Sequence, residues 1–206
     1  MDITHSSPSC ESNAGFDYLP SPVHQTRADA LRPPCDAWPA NPPRSNLYAD
    51  DAFVAHPLVT LTLAQDWRGA PPVYICTGWE LLSDEDRHAA HRFWRQGVRT
   101  VFEEYEAMPH CFALLFTNLP GARRCMEGWA GFIKEVTTTT TQVGEKGEET
   151  GKSKFTTIKA GTLEEVQIDP TAEGALTEHT DEEIAARIHR LISMKMVPVT
   201  EGNAKL

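Results

Sequence analysis

The chain has 206 residues, of which 40% are apolar and 23% charged, and its formal net charge is −10. This length allows one domain with a buried core, and the composition is typical of a globular protein. The acidic balance, without any basic stripe, argues against nucleic-acid binding. No run of about eighteen apolar residues occurs, so we expect no membrane-spanning segment. The first residues do not form a basic region followed by an apolar core, so they do not predict a secretory signal.

The cysteines do not indicate a disulfide framework or a metal site. They are odd in number and contain no CxxC pair, so we expect reduced thiols and a cytoplasmic location. Cys111 follows His110 directly, but neighbours in sequence usually point apart, and we interpret Cys111 as a small buried side chain. The five are Cys10, Cys35, Cys76, Cys111 and Cys125.

The first 46 residues predict a loop-rich region, because their many prolines exclude long helices. Apolar residues at 16–19 and Trp38 favour an ordered loop, although a disordered arm over Met1–Ala14 is the alternative. Further on, His56 precedes Pro57, which favours an extended backbone. We interpret His56 as a structural loop histidine, because no carboxylate motif lies near it.

The segment Pro71–Phe112 predicts a strand, a helix and a second strand. Residues 73–76 form a short apolar run behind two prolines, and residues 98–102 are β-branched and aromatic. Between them an amphipathic pattern begins at Ser83, which we predict to be the helix cap, and ends before Gly97. A strand–helix–strand unit of this length predicts two parallel strands.

Two residues with catalytic potential follow these strands. Glu80 comes after the first and His110 after the second. The carboxyl ends of parallel strands lie at the same edge of a sheet, so we expect the two side chains to lie close together. A carboxylate beside an imidazole can fix its tautomer and stabilise the imidazolium formed in proton transfer. Asp84, Glu85 and Asp86 are also acidic, but they suit the positive end of the helix dipole and solvent.

Three segments resemble the hormone-sensitive-lipase-like serine esterases of the α/β-hydrolase fold. Residues 78–85 (GWELLSDE) look like the acid loop, residues 107–112 (AMPHCF) like the histidine loop, and residues 56–59 (HPLV) like a preceding segment. The sequences of these segments are most similar to those of fungal members, in which Glu takes the place of the usual Asp. The resemblance covers roughly residues 1–136 and implies that Glu80 is the triad acid and His110 the triad base.

The other parts of such a site do not occur in the sequence. A serine hydrolase of this type needs a G-x-S-x-G nucleophile elbow and an HGG-type oxyanion segment. The nearest match, at 151–155 (GKSKF), lacks the second glycine and follows the histidine, so we reject it. Because Met1–Ser6 resembles the segment shortly after the nucleophile strand, we expect the chain to correspond to the C-terminal portion of such a domain.

After His110 the chain predicts an apolar helix, an amphipathic helix and a polar tail. Cys125, Trp129, Phe132 and Ile133 form a stripe that we expect to pack on the sheet. Residues 137–154 predict a flexible linker, because threonine and charged residues replace apolar ones. The remaining residues, 155–206, predict an extension with a short strand near its start. Within it Thr180 and Glu183 form a capping box for an amphipathic helix over Asp181–Met196, which could dock on the core or on a protein partner.

We therefore expect an α/β fold: the last parallel strands of an α/β-hydrolase sheet with flanking helices in residues 1–136, a loop-rich N-terminal region and a polar C-terminal extension. The resemblance implies a carboxylic-ester hydrolase acting on a small acyl ester with Glu80 and His110, without a cofactor or metal. The alternative is a catalytically inactive remnant or an interaction module, because the sequence lacks the nucleophile motif.

Overall fold

A computed structural model describes residues 12–13, 15, 17–18, 36, 49, 53–139, 152–177 and 180–195. The chain divides into two compact units, one formed by residues 2–19 and 66–178 and the other mainly by residues 20–65 and 179–206. We call the first the sheet unit and the second the α4 unit. In the described ranges, no helix combines the length and apolar character needed to cross a bilayer.

The sheet unit contains one mixed four-stranded sheet within the described residues. Its order is β1-β2-β3-β4, so β1 and β4 lie at its edges. β1 pairs in parallel with β2, and β2 pairs in parallel with β3, whereas β3 and β4 are antiparallel. The predicted pair of parallel strands is therefore confirmed. The strands are β1, Val73–Gly78; β2, Thr100–Tyr105; β3, Lys154–Ile158; and β4, Glu165–Gln167.

Helix α1, Ser83–Arg95, connects β1 to β2 and confirms the predicted unit. Its apolar face contacts the sheet through fully buried Ala90 and through Trp94, which packs edge-on against Phe155 of β3 at 6.1 Å. Gly97, which lies between the end of α1 and β2, has φ = 81°, the left-handed conformation predicted for it.

The prediction that Ser83 caps α1 was wrong. Leu82 occupies the position before α1, and no side chain caps the helix there. Ser83 is instead the first helical residue and is buried. Its hydroxyl oxygen accepts a hydrogen bond from Asn13 Nδ2 at 3.2 Å, so Ser83 anchors a distant segment instead of its own helix.

Two helices follow the histidine: α2, Phe112–Leu115, and α3, Pro120–Thr139. The predicted stripe on α3 packs only in part. Cys125 is completely buried, and Phe132 contacts the Tyr74 ring at 5.6 Å. Trp129 and Ile133 are 44% and 48% exposed, so the prediction that they pack on the sheet was wrong. The helical period is correct, but the buried face is narrower than the apolar stripe.

The polar C-terminal region contributes to the sheet. β3 pairs along β2 from Val101 to Tyr105, and its buried Phe155 and Ile158 complete cores on the two sides of the sheet. α3 extends to Thr139, past the predicted start of the linker at residue 137. The predicted boundaries of the linker, after residue 136 and at residue 154, stay a prediction. Residues 140–151 lie outside the described part of the chain.

The α4 unit contains a 3-10 helix at Leu61–Leu63 and helix α4, Asp181–Lys195. The capping box is confirmed: the Thr180 amide donates to Glu183 Oε2 at 2.8 Å, and the Glu183 amide donates to Thr180 Oγ1 at 3.2 Å. Ile184 and Ile188 are buried, as the predicted face requires. Met196 and the side chains of residues 191–195 lie outside the described part, as does most of the N-terminal region up to residue 46.

Candidate active site

The site lies where β1 and β2 end. Gly78, the last residue of β1, is aligned with Tyr105, the last residue of β2, so the loops that follow leave from the same edge of the sheet. Glu80 lies on the first loop and His110 on the second. The predicted proximity is observed: Glu80 Oε2 contacts His110 Nδ1 directly. This contact joins a buried carboxylate to a ring of which 29% is exposed.

The second carboxylate oxygen of Glu80 is held by β1. Thr77 Oγ1 donates to Glu80 Oε1 at 3.1 Å, and the Gly78 amide donates to the same oxygen at 3.3 Å. With Oε1 bound in this way, Oε2 is directed to the imidazole. An acceptor on Nδ1 fixes the proton of a neutral imidazole on that nitrogen and leaves Nε2 for proton transfer.

The N-terminal segment holds the acid loop in place. Asn13, which is buried, donates from Nδ2 to the Glu80 carbonyl oxygen at 3.1 Å as well as to Ser83. Asp17 Oδ2 accepts from the Leu81 amide at 3.0 Å. Asn13 and Asp17 are thus part of the site, and the alternative of a disordered arm does not apply to Asn13. The Tyr18 ring also lies edge-on to His110, with 6.4 Å between centroids.

The histidine loop has a constrained backbone. Ala107 and Cys111, which flank Met108, Pro109 and His110, have φ of 58° and 51°, in the left-handed region that non-glycine residues rarely adopt. Such backbone strain of about 1–3 kcal/mol per residue is often found at functional sites, where the surrounding structure maintains it. Cys111 is exposed, so the prediction that its side chain is buried was wrong.

A second acidic side chain lies close to the pair. Burial, together with the negative charge of Glu80, raises the pKa of Asp86, in the first turn of α1, to about 7. Asp86 was predicted to serve only the helix dipole and solvent. Its position in the first turn was correct, but its side chain is partly buried instead of lying in solvent.

His56 and the cysteines were the other candidates from the sequence. His56, in the α4 unit, is exposed, and its Nδ1 accepts a hydrogen bond from the Leu58 amide at 3.2 Å, as expected of a loop histidine. Cys76, Cys111 and Cys125 carry free thiols. No group of three or more His, Cys, Asp or Glu side chains in the described ranges is arranged to hold a metal ion.

Sequence reasoning missed four polar residues around Glu80. Asn13 and Asp17 lie more than 60 residues away in sequence, so no local pattern links them to the acid loop. Thr77 and Asp86 belong to a strand and a helix turn in which their residue types are ordinary.

These features define a partial α/β-hydrolase sheet with a carboxylate–imidazole pair at its carboxyl edge. Comparison with known proteins agrees: residues 38–114 match the profile of a family described as alpha/beta hydrolase fold. None of the curated protein sequences compared with the chain matches it.

Two of the solved structures that match part of the chain are the following. EstE5, solved after soaking with p-nitrophenyl butyrate, is 22% identical with a TM-score of 0.48. An esterase/lipase from an uncultured bacterium is 21% identical with a TM-score of 0.46. In each comparison 66% of this chain is covered, and the chain spans 40% of the other protein's length.

Proposed function

We propose that Glu80 and His110 are the acid and base of a Ser-His-acid triad in a carboxylic-ester hydrolase. The observation that carries the proposal is the contact between Glu80 Oε2 and His110 Nδ1 at the carboxyl edge of two parallel strands. In such a triad His110 Nε2 takes the proton of an attacking hydroxyl and later returns it to the leaving alcohol, while Glu80 stabilises the imidazolium. The substrate class is a small acyl ester, and neither step calls for a metal or cofactor.

The proposal names neither a nucleophile nor oxyanion donors. The 206 residues contain no G-x-S-x-G sequence. Loss of a triad nucleophile lowers kcat by about 10⁶ in a serine protease. We therefore propose the alternative for the chain by itself, namely that it does not hydrolyse esters. A fungal origin, a cytoplasmic location and a protein partner for α4 remain predictions.

One experiment separates these cases. Hydrolysis of p-nitrophenyl acetate and butyrate is measured with the chain and with its His110→Gln variant, and proton NMR is used to look for the far-downfield resonance of a proton between His110 Nδ1 and Glu80. We expect no turnover above that of the variant, together with a resonance that disappears in both Glu80→Gln and His110→Gln.

Each of the other outcomes would overturn one part of the proposal. Turnover that falls at least about 100-fold in His110→Gln would refute the inactive alternative and support ester hydrolysis by the chain itself. A downfield resonance that is absent from the wild type, or is unchanged in Glu80→Gln, would refute the acid–base pair. Glu85→Gln is the matched control, because it removes one carboxylate from the first turn of α1 and leaves Glu80 and His110 unchanged.

A further inference from the structure

A small cavity lies at the carboxyl ends of β2 and β3, where Tyr105 and Ile158 are the aligned last residues of the two strands. Its volume is about 90 Å³. The histidine loop, the start of α3 and the turn between β3 and β4 contribute the rest of the lining. The apolar lining residues are Tyr105, Met108, Leu119, Pro120, Ile158 and Leu163.

Met108 connects this cavity to the histidine loop. Its side chain lines the cavity, and its methyl carbon would lie 3.0 Å from a Cβ atom added to Gly121, at the start of α3. Its carbonyl oxygen lies against Gly78, at the end of β1. Neither Glu80 nor His110 is among the lining residues, so the cavity is distinct from the acid–base pair.

The turn between β3 and β4 holds Leu163 in an unusual conformation. Its φ is 57°, in the region that leucine rarely adopts, and its amide donates to the Lys159 carbonyl oxygen at 3.0 Å. In this conformation the Leu163 side chain lies on the cavity wall and packs against the core. Backbone strain of this kind is often found at functional sites, where the surrounding structure maintains it.

The lining favours an apolar ligand over water. A buried water needs about two to four polar partners, and a cavity with apolar walls stays dry. An engineered apolar cavity of about 150 Å³ binds benzene, which has six carbon atoms. In proportion, the cavity of about 90 Å³ can hold a chain of about three or four carbon atoms.

Two charged residues also line the cavity, and they form an ion pair. Lys159 Nζ lies 2.5 Å from Glu106 Oε1, and the Ala160 amide donates to Glu106 Oε2 at 3.2 Å. The two charges offset each other, so the pair offers no net charge to an ionic ligand. An ammonium group has three donors and each carboxylate oxygen has two lone pairs, so the pair can still bind a neutral hydroxyl group.

We propose that this cavity binds a short, unbranched primary alcohol. Its chain of about three or four carbons would lie among Met108, Leu119 and Leu163, and its hydroxyl group would lie at the Glu106–Lys159 pair. This site goes beyond the proposed ester hydrolysis and does not depend on it, because the acid–base pair takes no part in the binding.

Methyl NMR of the full chain, with ¹³C labels on the methyl groups of methionine and leucine, tests the site. The ligands are ethanol, 1-propanol, 1-butanol and 1-hexanol. We expect saturable shifts of the Met108, Leu119 and Leu163 signals, with binding that strengthens about fourfold for each carbon up to 1-butanol and no further at 1-hexanol. Shifts that do not saturate, or affinity that keeps rising through 1-hexanol, would overturn a site of this size.

Gly121→Ala places a methyl group on the cavity wall, against the end of the Met108 side chain. We expect 1-butanol to bind at least about fourfold more weakly, as for the loss of one buried carbon. Gly131→Ala is the matched control, because it lies on the same helix and nothing lies within 4 Å of its added Cβ. Equal affinities in the two variants would overturn the location of the site.

Leu119→Ala should have the opposite effect, because it enlarges the cavity. We expect 1-hexanol to bind this variant at least about fourfold more tightly than it binds the wild type. Leu114→Ala is the control, because Leu114 is 62% exposed and does not line the cavity. An equal gain in both variants, or no gain in Leu119→Ala, would also overturn the location of the site.

Sodium butyrate tests the neutral head group, because it has the chain of 1-butanol with a carboxylate in place of the hydroxyl. We expect it to bind at least about tenfold more weakly, since a carboxylate gives up hydration and the ion pair offers no net charge in return. Butyrate that binds as tightly as 1-butanol would overturn the assignment to an alcohol.

Discussion

A Cβ atom added to Gly78 would lie 1.9 Å from the carbonyl oxygen of Met108. The acid loop and the histidine loop are therefore in backbone contact, two residues before Glu80 and two residues before His110. No side chain can shift to relieve this contact, because the obstructing atom is backbone. The same glycine also donates its amide proton to Glu80 Oε1. Gly78 thus couples the positions of the two loops.

Gly78→Ala should displace the histidine loop. We expect a loss of about 1–3 kcal/mol in the free energy of unfolding, as for overpacked sites, together with loss of the His110–Glu80 downfield proton. Chemical denaturation and proton NMR measure the two effects. Gly131→Ala is the control, because nothing lies within 4 Å of its added Cβ and it lies within α3. That change should stabilise the helix by roughly 0.5–1 kcal/mol. Equal effects of the two substitutions would contradict the prediction.

The meeting of Glu80 and His110 could be predicted because it depends only on strand direction. Two strands joined by a helix run parallel, and their ends reach the same edge whatever the details of packing. The exposure of Trp129 and Ile133 could not be predicted in this way. Periodicity identifies a face of a helix, but the width of the buried part depends on the element opposite. For α3 that element includes Tyr74, whose ring contacts Phe132.

The contribution of the N-terminal segment could not be predicted for a different reason. Its prolines predict loops, but loops are positioned by individual hydrogen bonds, which have no sequence period. Asn13 makes such bonds to the Glu80 carbonyl and to Ser83. β3 was predicted only as a short strand, and its pairing along β2 depends on a partner about fifty residues away in sequence.

Asn13→Ala should destabilise the acid loop. It leaves the buried Glu80 carbonyl and Ser83 hydroxyl without the amide donor, which costs about 1–3 kcal/mol for buried polar groups. We expect a lower midpoint in urea and faster hydrogen exchange at the Leu81 amide, which Asp17 binds from the same segment. Asn118→Ala, at an exposed loop position, should change neither. If Asn13→Ala also leaves both unchanged, the segment does not hold the loop in solution.

Glu103 is the centre of a buried polar network between β1, β2 and α3. Tyr74 and Tyr105 donate to its Oε2 at 2.6 and 2.7 Å, and Arg124 donates to its Oε1 at 3.0 Å. Burial and the charge of Glu103 raise the pKa of both tyrosines, so they remain protonated donors. Such a network is stable only while each donor keeps its acceptor.

Glu103→Gln should therefore weaken the sheet unit. An amide offers one acceptor oxygen, and its NH₂ group faces donors, so at least one of Tyr74, Tyr105 and Arg124 loses its acceptor on residue 103. We expect a loss of about 1–3 kcal/mol in the free energy of unfolding, measured by urea denaturation. Glu127→Gln on the exposed side of α3 is the control and should change stability by less than about 0.5 kcal/mol. A loss no larger than that of the control would show that the network contributes little.

Asp86 should make stability depend on pH in the direction opposite to that of an ion-paired acid. Its pKa rises from 3.8 to about 7 on folding, so between these values the folded state holds a proton that the unfolded state has released. The folded state binds more protons, and stability therefore falls as pH rises from about 4 to 7. Above pH 7 the ionised carboxylate lies beside Glu80, and the full cost is present.

Asp86→Asn should remove this dependence. An asparagine keeps the shape of the neutral acid, so we expect no difference from the wild type near pH 4. At pH 8 the variant should be more stable by on the order of 2 kcal/mol; this is less than the full pKa difference implies, because the side chain is only partly buried. Urea denaturation of both proteins at several pH values measures the gap. Asp84→Asn controls for loss of a charge from the first turn of α1. The prediction is contradicted if Asp84→Asn changes the free energy of unfolding at pH 8 as much as Asp86→Asn does. It is also contradicted if the difference between Asp86→Asn and the wild type does not change with pH.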